Sequence, residues 1–331
     1  MKKKILLASL LMVAQLLPAQ TPERYSRVQI DLKGRSLEKL TQTGIEVDHG
    51  EYVPGRSLTL ELSASELKTV QDAGFPVQVL IPDFKKWYLE NRDKFSVENR
   101  GSNCNETSGI GAWKTPENYV PGSMGGYFTY AELLAMLDDM RAKYPNLITA
   151  RAAVSDTILT HEGRPQWWVK ISDNADTDEA EPEALYTALH HSREPNSLSQ
   201  LLFYMWYLLE NYETDATIKY IVENTELYFI PCLNPDGYLY NEATDPLGGG
   251  FWRKNRRDNG GGSFGVDLNR NYGYEWGIDN SGSSPNPNSE TYRGPEPFSE
   301  PETRMVRDFS LQHAFQFALN YHTRGNLLIY P

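Results

Sequence analysis

The chain has 331 residues, enough for about two domains. Apolar residues make up 40% and charged residues 23%, which excludes a disordered tail, a collagen-like fibre and a coiled coil. The net charge of −12 excludes a dedicated nucleic-acid binder, since phosphate contact needs a basic face. A mean hydropathy of −0.55 excludes a multi-span membrane protein. Two cysteines cannot build a disulfide scaffold or a cysteine-rich zinc site.

Residues 1–20 have the pattern of a secretory signal. Three lysines (residues 2–4) precede a 13-residue apolar stretch (residues 5–17), and the small Ala19 marks a cleavage site. Such a stretch is too short to cross a bilayer. We therefore expect a secreted or periplasmic protein with no stable membrane span. Oxidising compartments permit disulfides, yet Cys104 lies in a polar segment and Cys232 in an apolar one, so we expect no bridge between them.

Residues 21–92 are predicted to form a small α+β domain with the element order β-α-β-β-α-β. Apolar residues alternate in its predicted strands, for example Leu58, Leu60 and Leu62. A capping box from Ser63 to Glu66 then predicts a short helix that ends at Gly74. The sequence from residue 84 to 114 is polar, and we assign residues 93–115 as a linker open to proteolysis.

Residues 116–331 are predicted to form the larger domain. Thr129 caps a helix that runs through Tyr144, and a long apolar helix covers residues 198–212. The predicted strands of this domain cover residues 167–171, 184–190, 227–233 and 315–321. Alternating strands and helices predict an α/β fold with a mixed, mostly parallel sheet covered by helices on both faces.

Two of these strands lead into candidate metal ligands. His191 and Glu194 follow one strand three positions apart, and His322 follows another. Sites in open α/β sheets form beyond the carboxyl ends of strands, and a catalytic zinc takes three protein ligands and one water. A His-x-x-Glu pair also arises by chance, and His322 alone fits a buried structural histidine, so spacing leaves both readings open. We expect the neighbouring His190 to point into the sheet.

Ordered motifs across about 200 residues decide between these readings. The sequence resembles the zinc carboxypeptidases of the A/B type, and bacterial carboxypeptidase T in particular. The motifs that carry the resemblance are His191-Ser-Arg-Glu194, Asn234-Pro-Asp-Gly237, Trp252-Arg-Lys254, Asp267-Leu-Asn-Arg-Asn271, Ser289-Glu-Thr-Tyr-Arg-Gly294 and His322. Without this resemblance, the positively charged residues within 251–256 and 267–271 would be interpreted as a solvent-exposed basic surface.

The resemblance implies one Zn²⁺ per chain, held by His191, Glu194 and His322. Such a ligand set is known for carboxypeptidase A. It also implies that Asp267 orients a ligating histidine. The implied substrate is the C-terminus of a peptide or protein.

The resemblance further assigns three arginines and an asparagine to the substrate. Arg253 corresponds to the arginine that faces the scissile carbonyl, where a cation stabilises the developing oxyanion. Asn269 and Arg270 correspond to the pair that grips the terminal carboxylate, which suits a guanidinium fork. Arg193 corresponds to an accessory substrate-binding arginine.

The sequence departs from the family in two ways that limit what can be inferred from the resemblance. The family's general-base glutamate and substrate tyrosine lie well beyond the second zinc histidine, and this sequence ends nine residues after His322. We expect a truncated chain with little or no activity by itself. Arg324 stands where the family has an aromatic residue. The N-terminal unit resembles an activation segment in position and size only, so a zymogen and a separate folding or adhesion module both stay open.

Other functions fit less well. Gly261-Gly-Ser-Phe-Gly265 matches the sequence motif of a serine-hydrolase nucleophile elbow, but the flanking residues do not predict the strand before it and the helix after it that this motif requires. His161-Glu162 lacks the second histidine of a zincin motif. A non-catalytic zinc or peptide binder and a zinc amidase acting on cell-wall peptides remain as alternatives.

Overall fold

A computed structural model of the chain describes residues 23–47, 49–95, 114–323 and 328–329. The predicted signal, most of the predicted linker with Cys104, and Arg324 lie outside the described residues. Cys232 is a buried free thiol. In the part of the chain that is described, no helix is both long and apolar enough for a membrane crossing.

The N-terminal unit has the predicted order of elements. Its strands and helices are β1 (Tyr25–Asp31), α1 (Leu37–Thr41), β2 (Glu51–Val53), β3 (Ser57–Ser63), α2 (Ala64–Asp72) and β4 (Val77–Ile81). The sheet order is β2-β3-β1-β4, with every neighbouring pair antiparallel. Alternate residues such as Val28, Ile30 and Leu60 form its core. The capping box is complete: the side chain of Ser63 accepts from the backbone N–H of Glu66, and the side chain of Glu66 accepts from the backbone N–H of Ser63.

The polar stretch that follows this unit does not begin as a linker. Residues Phe84–Asn91 form helix α3, capped by Asp83, and Arg92–Phe95 continue it as a 3-10 helix. Phe84 stacks on Trp87 and packs edge-on against Phe251, with ring centroids 5.8 Å apart. The overall polarity of the segment concealed an aromatic face that packs on the larger domain.

The larger domain is built on a five-stranded mixed sheet. Its elements are α4 (Tyr130–Lys143), β5 (Ala152–Ala153), β6 (Trp167–Ile171), β7 (Glu183–Ala188), α5 (Pro195–Asn211), α6 (Ala216–Val222), β8 (Glu226–Ile230), α7 (Pro235–Thr244), β9 (Asp258–Gly260), β10 (Ser263–Phe264), α8 (Pro301–Ser310) and β11 (Phe315–Tyr321). The sheet order is β11-β7-β8-β6-β5; β11, β7 and β8 are parallel, and β6 and β5 join antiparallel.

Both faces of this sheet are covered, as predicted. In β8, Leu227 and Phe229 pack with α4 and α5, whereas Tyr228 and Ile230 pack with α8. The period of two along a strand sends successive side chains to opposite faces, so a strand covered on both sides is mostly apolar; the buried Glu226 of β8 is paired with Lys170 of β6.

Three predicted boundaries shift for local reasons. β7 ends at Ala188 because Leu189 has a positive φ of 58°, which breaks the extended chain before His190. β8 ends at Ile230 because Pro231 has no N–H for the ladder. α5 begins at Pro195 rather than residue 198, with proline at the first helical position.

Candidate metal centre and substrate cleft

The predicted ligands meet at the edge of the sheet where the parallel strands end. β7 and β11 are neighbours, with Ala188 opposite Tyr321. His191 therefore follows one strand end, and His322 comes directly after the other. Glu194 is the residue that precedes α5, so the turn after β7 presents an imidazole and a carboxylate in the same direction.

The polar atoms of these three residues converge. Oε1 of Glu194 lies 2.7 Å from Nδ1 of His191, and its Oε2 lies 2.9 Å from Nδ1 of His322. The two Nδ1 atoms are 3.2 Å apart. Ligands about 2.0–2.1 Å from a tetrahedral zinc ion are roughly 3.3 Å from one another. The donor set therefore fits Zn²⁺ in both chemistry and spacing.

A buried carboxylate supports the first of these histidines. Oδ1 of Asp267 lies 3.3 Å from Nε2 of His191, and both side chains are fully buried. Oδ2 of Asp267 accepts hydrogen bonds from Nε and Nη2 of Arg253, at 3.1 and 2.8 Å. Burial by itself would raise the pKa of Asp267, but Arg253 and His191 hold it far below its usual range. Asp267 is thus a permanent anion behind His191.

Glu194 is also held as an anion. Burial raises the pKa of a carboxylic acid, yet the charge of His191 and hydrogen bonds with His191, His322 and His49 lower the pKa of Glu194 well below its ordinary value. The backbone N–H of Thr323 donates to Oε2 of Glu194 at 3.2 Å. An ionised carboxylate is the form that ligates a metal.

His190 does not belong to this set. Its Nε2 lies 2.9 Å from the hydroxyl of Tyr272, and its ring stacks on that of His322. Burial and the neighbouring His322 and His191 lower the pKa of His190. Its ring packs against the ring of His322, and it lies outside the cluster of candidate ligands.

The substrate-binding arginines predicted from the sequence gather beside the metal ligands around one carboxylate, Glu46 of the N-terminal unit. Arg253 donates to Oε2 of Glu46 through a very short contact, and Arg193 lies 3.4 Å from the same oxygen. Arg270 lies 3.6 Å from Oε1 of Glu46. Burial would raise the pKa of Glu46, but Arg253 and His49 keep it well below the usual value. The carboxylate is therefore ionised among three guanidinium groups.

The backbone places Arg270 and Asn269 at this position. Both lie in the 3-10 turn Leu268–Arg270, which Asp267 caps by accepting from the N–H of Asn269 at 3.0 Å. Nε of Arg270 donates to the carbonyl of Gly282 at 2.6 Å. Asp267 thus fixes a histidine, an arginine and the turn that carries the next arginine.

The sequence analysis missed two residues of the site, Glu46 and His49. They lie between α1 and β2 of the N-terminal unit, and Nε2 of His49 is 2.7 Å from Oε1 of Glu194. Glu46-x-x-His49 is a pair of the same spacing as His191-x-x-Glu194, but such pairs occur by chance. No local pattern marks a loop that is shaped by contact with another unit.

A cavity of about 520 Å³ adjoins these residues. It lies between the two units, and residues from both line it, among them His49, Arg193, Glu194, Tyr88 and Phe251. A pocket of this size with a few convergent polar groups is typical of a ligand site.

Comparison with known proteins agrees with this geometry. The family model described as zinc carboxypeptidase matches residues 133–331. The chain belongs to the zinc carboxypeptidase family. Its family uses one zinc ion, for which His191, Glu194 and His322 are the candidate ligands.

The similar proteins are carboxypeptidases from several kingdoms. The chain is 38% identical over 159 residues to a zinc carboxypeptidase of Saccharothrix mutabilis subsp. capreolus, covering 47% of this chain and 35% of that protein. It is 35% identical over 209 residues to carboxypeptidase B of Astacus astacus, covering 62% and 64%. The chain thus spans about a third to two thirds of the length of these relatives.

Two solved structures share the fold over nearly the whole chain. Carboxypeptidase A from Helicoverpa armigera has a TM-score of 0.68 at 24% identity, covering 92% of this chain and 71% of that one. Thrombin-activatable fibrinolysis inhibitor has a TM-score of 0.61 at 20% identity, covering 90% and 71%. The fold prediction, including the mixed sheet, is confirmed.

Proposed function

We propose that the protein is a zinc metallocarboxypeptidase that removes the C-terminal residue of peptides and proteins. The observation that carries the proposal is the juxtaposition of a three-ligand metal set with a group of guanidinium ions that already holds a carboxylate. A substrate's free C-terminus is a carboxylate one residue away from the bond to be cut. An exopeptidase needs both sites next to each other.

In this proposal His191, Glu194 and His322 hold the zinc ion. When bound, the ion polarises a carbonyl and lowers the pKa of a bound water toward about 7. Arg253 lies between Asp267 and Glu46, so its guanidinium could donate to an oxyanion in place of Glu46 while its other edge stays paired with Asp267. One such donor is worth roughly 3–4 kcal/mol of transition-state stabilisation.

Arg270 and Asn269 would take the terminal carboxylate, with Arg193 as an accessory contact. The position of Glu46 supports this assignment, because its carboxylate contacts Arg253, Arg193 and Arg270 at once. An anion that sits among these groups inside the protein is a stand-in for the anion of a substrate.

We propose also that residues 21–92 act as a prosegment that covers the cleft until it is removed, and that residues 1–20 direct export. Glu46 and His49 enter the cleft from the N-terminal unit, which supports a covering role over a separate adhesion module. A similar carboxypeptidase B of Helicoverpa zea aligns over 322 residues at 29% identity, covering 93% of this chain and 68% of that protein.

The test uses the protein purified from its natural source, before and after limited proteolysis, with a blocked dipeptide as the free acid and as the amide. We expect cleavage of the free acid only, and more of it after proteolysis. Arg270→Gln should lower kcat/KM for the free acid roughly 100-fold, as loss of a buried charge partner does. The control Arg307→Gln, which removes a partly exposed arginine paired with Asp308, should change little.

Two results would contradict this function in different ways. Equal cleavage of the amide would remove the carboxylate-binding role of Arg270 and favour the amidase. Stoichiometric zinc without cleavage of either substrate by the processed chain would favour a zinc or peptide binder.

A further inference from the structure

The loop between α1 and β2 brings a third histidine to the metal ligands. We infer that His49 supplies a fourth protein ligand to the zinc ion of the proposed carboxypeptidase site, so that the N-terminal unit closes the metal as well as the substrate cleft. The inference rests on the proposed function, since it assigns one more ligand to the same ion. It goes beyond the three-ligand set that the family resemblance implies.

The geometry of His49 is that of a ligand. Nε2 of His49 lies 2.7 Å from Oε1 of Glu194, the oxygen that is also 2.7 Å from Nδ1 of His191. One ligand atom from each of His49, His191, Glu194 and His322 falls within 4.8 Å of all the others. The rings of His49 and His191 meet edge-on with centroids 5.7 Å apart, so they approach one point from different directions.

The second nitrogen of His49 has the partner that a ligating histidine needs. Nδ1 of His49 lies 3.3 Å from Oε1 of Glu46. Metal-bound histidines usually donate their other N–H to a carboxylate, which fixes the ring and its tautomer. Asp267 stands in the same relation to His191, with its Oδ1 3.3 Å from Nε2. Glu46 and Asp267 are both paired with Arg253, so one arginine holds both carboxylates.

The donors and acceptors around His49 are compatible with a metal ion between His49 and Glu194. A neutral imidazole carries one N–H and one lone pair. Both ring nitrogens of His49 face carboxylate oxygens, those of Glu194 and Glu46. With Nδ1–H donated to Glu46, the lone pair of Nε2 faces the carboxylate of Glu194, so either a proton on Nε2 or a metal ion must lie between them. An ion bound by both His49 and Glu194 satisfies every group.

A fourth protein ligand changes the class of the site. Zinc sites with four protein ligands are structural, whereas catalytic sites keep one position for water or substrate. With His49 bound, the full chain has a closed metal site, and removal of the N-terminal unit opens the position that hydrolysis requires. Glu46 would thus occupy the position of the substrate's terminal carboxylate. His49, three residues later, would occupy the position of water on the metal.

Zinc K-edge X-ray absorption of the zinc-loaded full chain tests this directly, because imidazole scattering counts the bound histidines. We expect three imidazoles in the natural chain and two in His49→Gln. The control His161→Gln removes a histidine that is hydrogen-bonded to Glu300 at 2.8 Å, outside this cluster, and should leave three. Two imidazoles in the natural chain would overturn the inference while leaving the proposed function intact. Absence of stoichiometric zinc would overturn both.

A kinetic measurement supplies a second readout that does not depend on activity. Transfer of zinc from the full chain to an excess of chelator should be roughly tenfold faster or more in His49→Gln, since even outer partners of a ligand alter metal affinity about 10–100-fold. An unchanged transfer rate in a variant with native circular dichroism would contradict the inference. If the variant does not fold, the histidine count of the natural chain still decides.

Discussion

The two units of the molecule bury charge in different ways. The larger domain buries many side chains of the charged types and pairs them internally, for example Arg253 with Asp267 and Lys170 with Glu226. Within the described part of the N-terminal unit, Glu46 is the charged side chain that is buried, at 6% exposure. Its guanidinium partners all belong to the larger domain.

This difference shows what each unit is built for. The guanidinium groups around Glu46 belong to the larger domain, so its carboxylate has these partners only when the N-terminal unit is docked. The larger domain needs no such help for Asp267. The N-terminal unit therefore has a self-sufficient apolar core and an interface whose polar part is completed by its partner.

The largest effect is expected from removing Glu194, the carboxylate among the proposed zinc ligands. Glu194→Ala should lower zinc affinity at least about 100-fold, more than the loss of an outer partner does. Metal content measured after dialysis should fall from one ion per chain to near zero. The matched control Glu275→Gln changes an exposed glutamate and should keep its zinc. Full zinc in Glu194→Ala would mean that the ion is held elsewhere.

The second prediction separates the interfacial charge from an ordinary surface charge of the same unit. Glu46→Ala should lower the free energy of unfolding by about 1–3 kcal/mol, because Arg253, Arg193 and Arg270 each lose one carboxylate contact at the interface. Glu51→Gln, which removes a surface pair with Arg27, should cost less than about 1 kcal/mol. Urea unfolding of the full chain measures both. Equal effects would mean that Glu46 contributes no more than a surface charge.

The third prediction concerns two glutamates of the larger domain with opposite pKa shifts. Burial raises the pKa of Glu302 to about 7. Glu300 is also buried, but hydrogen bonds from His161, Ser299 and Asn255 lower its pKa to about 2. A raised folded-state pKa gives stability that is present below the unfolded value, near 4.5, and is lost as pH rises to about 7.

Glu302→Gln should therefore be more stable than the natural chain at pH 8, by up to about 3 kcal/mol at about 1.4 kcal/mol per pKa unit, and similar to it near pH 4. Glu300→Gln should be less stable than the natural chain at pH 7, and the difference should shrink as pH falls toward 2. Urea unfolding at several pH values checks both signs. A natural chain whose stability does not fall between pH 5 and 7, with no gain from Glu302→Gln, would contradict the raised pKa.

Elements that have a regular pattern of apolar residues could be predicted from the sequence. Alternation over residues 315–321 predicts β11 with the bounds that the structure has, so His322 was placed at a strand end from the sequence alone. Parallel pairing with β7 then brings it to His191 and Glu194. The position of Asp267 behind His191 came from the family resemblance, because no periodic pattern encodes a contact between loops.

What the sequence did not predict depends on docking. His49 and Glu46 lie in a turn whose side chains acquire partners only across the interface between units. Helix α3 was missed because it is polar on average, although Phe84 packs on Phe251 of the larger domain. Contacts between units produce no periodic pattern of apolar residues in either segment. Each contacting surface is short, and its partner residues lie far away in the chain.

The smallest predicted effect concerns the helix caps, because both units contain a helix that begins with a capping box. Ser63 with Glu66 opens α2 in the N-terminal unit, and Thr129 with Glu132 opens α4 in the larger domain. Replacing either cap residue by alanine should cost about 1 kcal/mol, because one backbone N–H of the first turn loses its acceptor. Thermal unfolding of the full chain, followed by far-ultraviolet circular dichroism, measures the cost.

The unfolding transition that each variant shifts tests whether the two units unfold together. If the pairing of Glu46 with the larger domain couples them, Ser63→Ala and Thr129→Ala should lower the same single transition by similar amounts. If the units unfold separately, each variant should shift one of two transitions and leave the other in place. Adding Glu46→Ala should convert the first pattern into the second, because the N-terminal unit keeps its own apolar core when its interfacial charge is gone. A single transition that survives Glu46→Ala would place the coupling in the apolar contacts around Phe84 and Phe251 instead.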